Sequence, residues 1–307
     1  MQNALSYLSA IVASLCWAVA PVIAVGPIQK LGILAYAQVR FIVATFIVVL
    51  VAMITSTWDG LTSTPFSSLI TLFGSSLVGI LLADTLLVSA IGKAGPRRAS
   101  ILYSTSSPIT LLSGSYMLGE YPSSRQILGF VICLVGIYLA IFFRGVSAQK
   151  VASSEKTPGD RDVIVGIVAG LGAALFQALG LIALKAAMLH LALPSAPVAA
   201  LRLAMAAVLA NLLILPRWST PSSRAKFDKH TVLRIFGAAF VAYGVGSVLF
   251  TFSVAHTRNV AIVGLLSSLA PVLVLPVVWL QSGVRPSGAS WIGAAVAVGG
   301  VSVIVTA

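Results

Sequence analysis

Two ionisable residues stand inside long apolar runs, at positions from which they could act together. Asp84 sits in GILLADTLLVSAIGKAGPRRAS, residues 79–100, ahead of a basic turn made by Lys93, Arg97 and Arg98. Arg40 stands seven residues into the apolar run that starts at residue 33. A charge at the centre of a membrane helix costs about 2.5–3.5 kcal/mol on insertion scales, so one that is kept there marks a pathway or has a partner. At 1.5 Å per residue, Asp84 lies about 10 Å inside the basic end of its run. The run carrying Arg40 begins on that same face. The two charges therefore share one leaflet at similar depth and are expected to pair, or to share a substrate or a proton. A purely structural salt bridge, or attraction of Asp84 toward Lys93, is the alternative.

Membrane helices must position these groups, because the composition allows little else. The 307-residue chain is 59% hydrophobic and 8% charged, with mean hydropathy +1.05, against about 25% charged residues in soluble domains. Such a chain takes a bilayer as its solvent. The net charge of +12 does not point to nucleic acid, since the cations lie in short turns between apolar runs, where membrane topology explains them. Cys16 and Cys133 lie inside apolar runs without CxxC or CxxH spacing, which argues against zinc and disulfides. HExxH, GxSxG and P-loop signatures are absent, and Asp84 has no second carboxylate at matching depth. No enzyme activity, cofactor or metal is expected.

Crossing a hydrocarbon core takes about 20 apolar residues. Ten runs qualify: 4–25, 33–55, 67–91, 98–118, 126–143, 162–188, 196–216, 231–254, 260–281 and 288–306. They are too long and continuous for the alternating strands of a barrel. The first lacks the positive flank of a secretory signal and is read as a spanning helix. Residues 144–161 have mixed charge and linker character, dividing the chain into two five-helix units, 1–143 and 162–307.

The units resemble each other. ASLCWAVAP at 13–21 aligns with AALFQALGL at 173–181, setting Trp17 against Gln177. AYAQVRFIVA at 35–44 aligns with PVAALRLAMA at 197–206, setting Arg40 against Arg202. Residues 104–123 align with 267–287, setting Pro108 against Pro271 and Pro122 against Pro286. Five is odd, so the second unit must enter the membrane the opposite way up. The expected fold is an all-α membrane protein of ten transmembrane helices in two inverted five-helix repeats, with a binding site near the midplane between them. Of the 19 Lys and Arg residues, 14 fall in the turns of one face. The positive-inside rule makes that face cytoplasmic and leaves both termini outside.

This frame adds candidates. Trp17 and Gln177, at equivalent midplane positions, would line a substrate cavity, or else pack and bond across helices. Tyr103, Ser104, Thr105, Ser106 and Ser107 put five hydroxyls ahead of Pro108, and Ser267 and Ser268 precede Pro271. A proline frees a carbonyl of the preceding turn, and serines satisfy such groups in membranes. Kinks lined by Tyr103 and Ser104 are therefore expected at the cavity. Tyr243, beside Gly244 and Gly246, is expected to close one end of it. Inversion puts Arg202, Lys185 and Glu120 near the opposite face. Lys185 is expected to snorkel to the headgroups; turned inward, it would attract an anionic group. Glu120 is expected to satisfy donors at the start of the fifth helix or to pair with Arg125. Gly129, Gly136, Gly293, Gly299 and Gly300 read as close helix packing.

Several of these stretches resemble the drug/metabolite transporter superfamily, in its ten-helix EamA-like branch. Leu15-Cys16-Trp17 resembles the tryptophan motif of its first helix, with Ala18 where glycine is usual. Val39-Arg40-Phe41 and Leu201-Arg202-Leu203 resemble its Leu-Arg-Phe motif. Ser107-Pro108 through Leu118-Gly119-Glu120 resembles its fourth-helix signature, and Ala83-Asp84-Thr85 followed by Gly95-Pro96-Arg97-Arg98-Ala99 a variant of part of the family. Gly283-Val284 departs from an expected Gly-Glu. The family's termini are usually cytoplasmic, opposite to the charge count.

The resemblance covers the whole chain and implies export or exchange of a small metabolite. The expected protein is a multi-pass transporter of the cell (inner) membrane, monomer or homodimer, moving a small polar solute such as an amino acid by alternating access. Trp17, Arg40, Asp84, Tyr103, Ser104, Gln177, Lys185 and Tyr243 are its candidate substrate residues, and Asp84 its candidate proton-coupling group. A lipid-handling or scaffold protein is the alternative. A closed apolar interior would favour that alternative, whereas a polar cavity around Trp17, Asp84 and Gln177 favours the carrier.

Overall fold

In lipid, the backbone must satisfy its own N–H and C=O groups, and a helix does so within one segment. The structure, a computed structural model, describes residues 2–31, 33–143, 160–214, 228–283 and 285–306. Among them there are no strands; nine helices are long and apolar enough to cross a membrane, and Pro96–Leu118, broken at Thr105, makes the tenth span of the fold. These are α1 (Gln2–Leu31), α2 (Ile33–Thr55), α3 (Phe66–Ala94), α4 (Pro96–Ser104 continued by Ser106–Leu118) and α5 (Ser124–Phe142). The second set is α6 (Asp160–Met188), α7 (Ser195–Ile214), α8 (Lys229–His256), α9 (Val260–Ser267 continued by Ala270–Ser282) and α10 (Gly288–Val305). The expected runs match these spans to within a few residues. The differences lie at ends: α1 continues through Pro27 to Leu31, and α6 starts at Asp160, inside the expected linker. Residues 144–159 of that linker, and 215–216 of the seventh run, lie outside the described residues.

Four spans depart from regular α-helix, and all four wall the centre. α4 is interrupted at Thr105 and α9 at Ser268–Leu269, each three residues before the first proline of its second half, Pro108 and Pro271. A proline has no N–H to give the carbonyl four residues back. The carbonyl so freed at Ser267 accepts instead from the Ser14 hydroxyl of α1, at 3.1 Å. α3 and α8 each widen into π turns, Leu77–Leu82 and Phe240–Ser247, a distortion that concentrates at functional sites. Asp84 follows the first π turn and Tyr243 lies in the second.

Small residues bring helices together. A Cβ on Gly136 of α5 would stand 2.2 Å from the Ala297 nitrogen of α10, and one on Gly293 would stand 2.3 Å from that of Ala140. Gly129 and Gly300 belong to the same seam, whereas Gly299 faces open space. A second seam joins the repeats, where a Cβ on Gly180 of α6 would stand 2.2 Å from Gly79 Cα of α3.

Candidate functional site

A cavity of about 380 Å³ lies between the two repeats, within the ~300–1,000 Å³ range of small-molecule sites. Trp17, Arg40, Asp84, Tyr103, Gln177 and Tyr243 all line it. Ser104 does not; it is buried and its hydroxyl donates back to the Ser100 carbonyl at 2.9 Å. Lys185 is also absent from the walls. Toward one end the lining reaches Ile28, in the last turn of α1, and Tyr36, in the first turn of α2.

The expected ion pair is present. Arg40 Nη2 lies 3.3 Å from Asp84 Oδ2, with the side chains 27% and 40% exposed. Both charges therefore keep an open face. The Arg40 guanidinium also stands 5.0 Å from the Phe41 ring centroid and 5.5 Å from that of Tyr243, in cation–π range. Lys93 does not compete for Asp84, because its ammonium pairs with Asp162 at 3.2 Å.

Trp17 both packs and lines. Its indole N–H donates at 3.0 Å to the Ala242 carbonyl inside the α8 π turn, and its ring lies 5.1 Å from Phe250. Thus an α1 side chain supports the irregular backbone of the opposite repeat. Gln177 forms no cross-helix hydrogen bond among the described residues, and its amide remains available at the cavity wall. Tyr103 shares the cavity wall with Asp84 and Arg202.

Arg202, expected near the opposite face, bonds Ser75 in the half of α3 away from Lys93 and walls the same cavity as Arg40. It starts from α7, buried to 8% exposure, and its Nε donates to the Ser75 hydroxyl of α3 at 3.0 Å. Its Nη2 lies beside Gly79, where a Cβ would stand 3.0 Å away. The repeat alignment of Arg202 with Arg40 was the signal that could have placed it here.

Beyond the cavity, Lys185 ties helix ends within the second repeat and Glu120 ties them across the repeats. Lys185 does not snorkel: it is 6% exposed, and its ammonium donates to the Val254 and Thr257 carbonyls at 3.1 and 2.7 Å. The last carbonyls of α8 lack helical donors, and a cation satisfies them. Glu120 is structural, but serves α9 rather than α5: its Oε2 accepts from the Val260 N–H at 2.6 Å. α5 has no need of it, because Ser123 and Gln126 form a reciprocal capping box there. No ion pair joins Glu120 to Arg125 among the described residues.

Comparison with known proteins agrees with this architecture. A solved crystal structure of a protein superposes with a TM-score of 0.72 over 97% of this chain and 95% of its own, at 20% identity. At that identity the likeness shows the fold. No curated relative matches in sequence. The model of the EamA-like transporter family matches twice, over residues 4–142 and 164–306, once in each set of five helices. An apolar ten-helix chain matched by that family over nearly its full length is a multi-pass membrane transporter of the drug/metabolite type, and it belongs to the EamA-like transporter family.

Proposed function

We propose that the chain is a secondary carrier that exports or exchanges a small polar metabolite such as an amino acid across the cell (inner) membrane, by alternating access. The observation that carries this reading is the polar cavity between the repeats, walled by the Arg40–Asp84 pair with Trp17, Gln177 and Tyr243. A scaffold has no use for an ion pair facing an empty volume. Access supports the same reading. The walls run toward the Ile28 and Tyr36 end, while the Glu120 and Lys185 contacts bind helix ends together at the other.

Asp84 is the proposed coupling group. It is the cavity's carboxylate, and Arg40 takes one of its oxygens. Purified protein in liposomes, offered amino acids and nucleosides with a proton gradient on and off, tests the proposal. Gradient-stimulated uptake that Asp84→Asn abolishes supports coupled transport. Gradient-independent exchange, with the same pH profile in Asp84→Asn, would leave a carrier and remove Asp84 from coupling. No flux of any solute would refute the carrier.

A further inference from the structure

Arg40 and Asp84 neutralise each other, yet the cavity holds one more charge. Arg202 lines its wall, and among the described residues no carboxylate forms an ion pair with it. Its support is neutral. Nε donates to the Ser75 hydroxyl at 3.0 Å, and Nη2 approaches the Ser75 carbonyl at 3.5 Å. Ser75 in turn donates to the Gly180 carbonyl at 2.8 Å, which fixes its oxygen as an acceptor toward the arginine. Gly79 keeps the space beside the guanidinium clear, since a Cβ there would stand 3.0 Å from Nη2. This scaffold aims the guanidinium without compensating its charge.

We propose that Arg202 anchors the carboxylate of the transported solute, an inference that rests on the carrier function proposed above. Charge selects the class. With Arg40 and Asp84 paired, the wall carries one uncompensated positive charge, which a single carboxylate neutralises. A phosphate dianion would overshoot it beside Asp84. The planar guanidinium fork takes a carboxylate through two parallel N–H···O bonds. Arg202 Nη2 lies beside Gly79, and Arg40 pairs with Asp84 five residues further along α3, so a small solute held at Arg202 extends toward the ion pair. An amino acid bound this way turns its ammonium to the Asp84 side, with the free Gln177 amide on the same wall.

The test is counterflow in proteoliposomes holding the full chain, with the common amino acids, their amides and their decarboxylated amines. The acids are expected to exchange at least tenfold faster than the matched amides and amines. Arg202→Gln is expected to erase that preference. Arg202→Lys is expected to keep part of it, because the charge remains and the fork is lost. Acid exchange by Arg202→Gln at the wild-type rate overturns the anchor, and so does a wild-type preference for amines or amides. In both of those cases a solute moves and the carrier reading stands; if nothing in the panel moves, the anchor falls, and nucleoside flux in the same proteoliposomes decides whether the carrier falls with it. Where Arg202→Gln does not fold, the wild-type choice of acid over amide decides, and Ser75→Ala, which loosens the guanidinium, should raise KM for acids more than it lowers the maximal rate.

Discussion

The hydroxyls of Ser107 and Ser268, which are 161 residues apart in sequence, meet at 2.9 Å where α4 and α9 are both broken. Each belongs to a different repeat, and each break precedes a proline, so the two interrupted helices cross at their weakest points. The Gly264 carbonyl accepts from Ser268 at 3.0 Å and lies 3.4 Å from Ser107. The crossing is therefore a small hydrogen-bond network beside the cavity, to which Ser268 also contributes a wall. In a double-mutant cycle of Ser107→Ala and Ser268→Ala, unfolding in bicelles should give a coupling of about 0.5–1 kcal/mol, the usual range for such bonds between membrane helices. A coupling of zero would mean that the contact is incidental to packing.

Removing one partner of a fully buried ion pair costs about 3–5 kcal/mol, because the other charge is left stranded. Arg40 and Asp84 keep an open face, so Arg40→Gln or Asp84→Asn alone should cost less, about 1–2 kcal/mol. The double variant should be more stable than the sum of the two losses implies. Melting of the four proteins in detergent checks this; strictly additive losses would show that the pair is not coupled.

The ten spans were legible because run length alone decides what crosses a bilayer, and the ion pair because depth can be counted from a shared face. The prolines of α4 and α9 announced their breaks. What escaped the sequence depends on neighbours. Nothing in the stretches LVGILL at 77–82 and FVAYGVGS at 240–247 marks a π turn, since its cause is the packing around it. That Arg202 walls the cavity depends on Ser75 and Gly79 of α3 beside its guanidinium, which its own stretch of sequence does not show. Glu120 was assigned to the nearest helix start, which already had its own capping box. Lys185 was read as lipid-facing because the helix partner that turns it inward, the end of α8, is nearly 70 residues away in sequence.

Glycine substitutions separate contact seams from tolerant sites. Gly180→Ala forces a methyl to within 2.2 Å of Gly79 Cα, and backbone cannot yield as a side chain does. Overpacking costs about 1–3 kcal/mol where side chains can shift, so this variant should lie at or above the top of that range and should also disturb the Arg202 side of the cavity. Gly74→Ala, on α3 with Gly79 but with nothing within 4 Å of its Cβ, should stay within about 1 kcal/mol of the wild type. Equal melting temperatures for the two variants would refute the seam.

Asp228, just ahead of α8, gives a pH prediction outside the spans. Hydrogen bonds from the Thr231 hydroxyl and from Lys30, whose ammonium lies 2.9 Å away, hold its carboxyl down to about 2 from 3.8. Because the folded value is the lower one, the contribution is complete above pH 3.8 and is lost as pH falls toward 2. Carbon NMR of labelled aspartate should show one carboxyl titrating near 2, and Thr231→Val should move it upward. A midpoint near 4 in the wild type would mean that the contacts do not persist in solution.

On the proposed alternating-access function, the Glu120 and Lys185 contacts hold together the end away from Ile28 and Tyr36. The carboxylate caps the first N–H of α9 and the ammonium caps the last carbonyls of α8, so together they fix the turn between those helices against α4 and α6. Glu120→Gln keeps an acceptor but loses the charge, and should cost about 1 kcal/mol; Glu120→Ala leaves the N–H bare and should cost up to ~2 kcal/mol. Lys185→Met removes the donors without removing bulk, and should raise the accessibility of that end more than it lowers stability. The measurement is thiol labelling of Ser268→Cys, a wall residue of the cavity, in a background without Cys16 and Cys133. Labelling from the Glu120 side should be slow in the parent and faster in Lys185→Met, while labelling from the Ile28 side should slow, because a carrier that opens at one end closes at the other. A variant that gained access from both sides at once would be a leak, and would show that these contacts seal the bundle without taking part in its alternation.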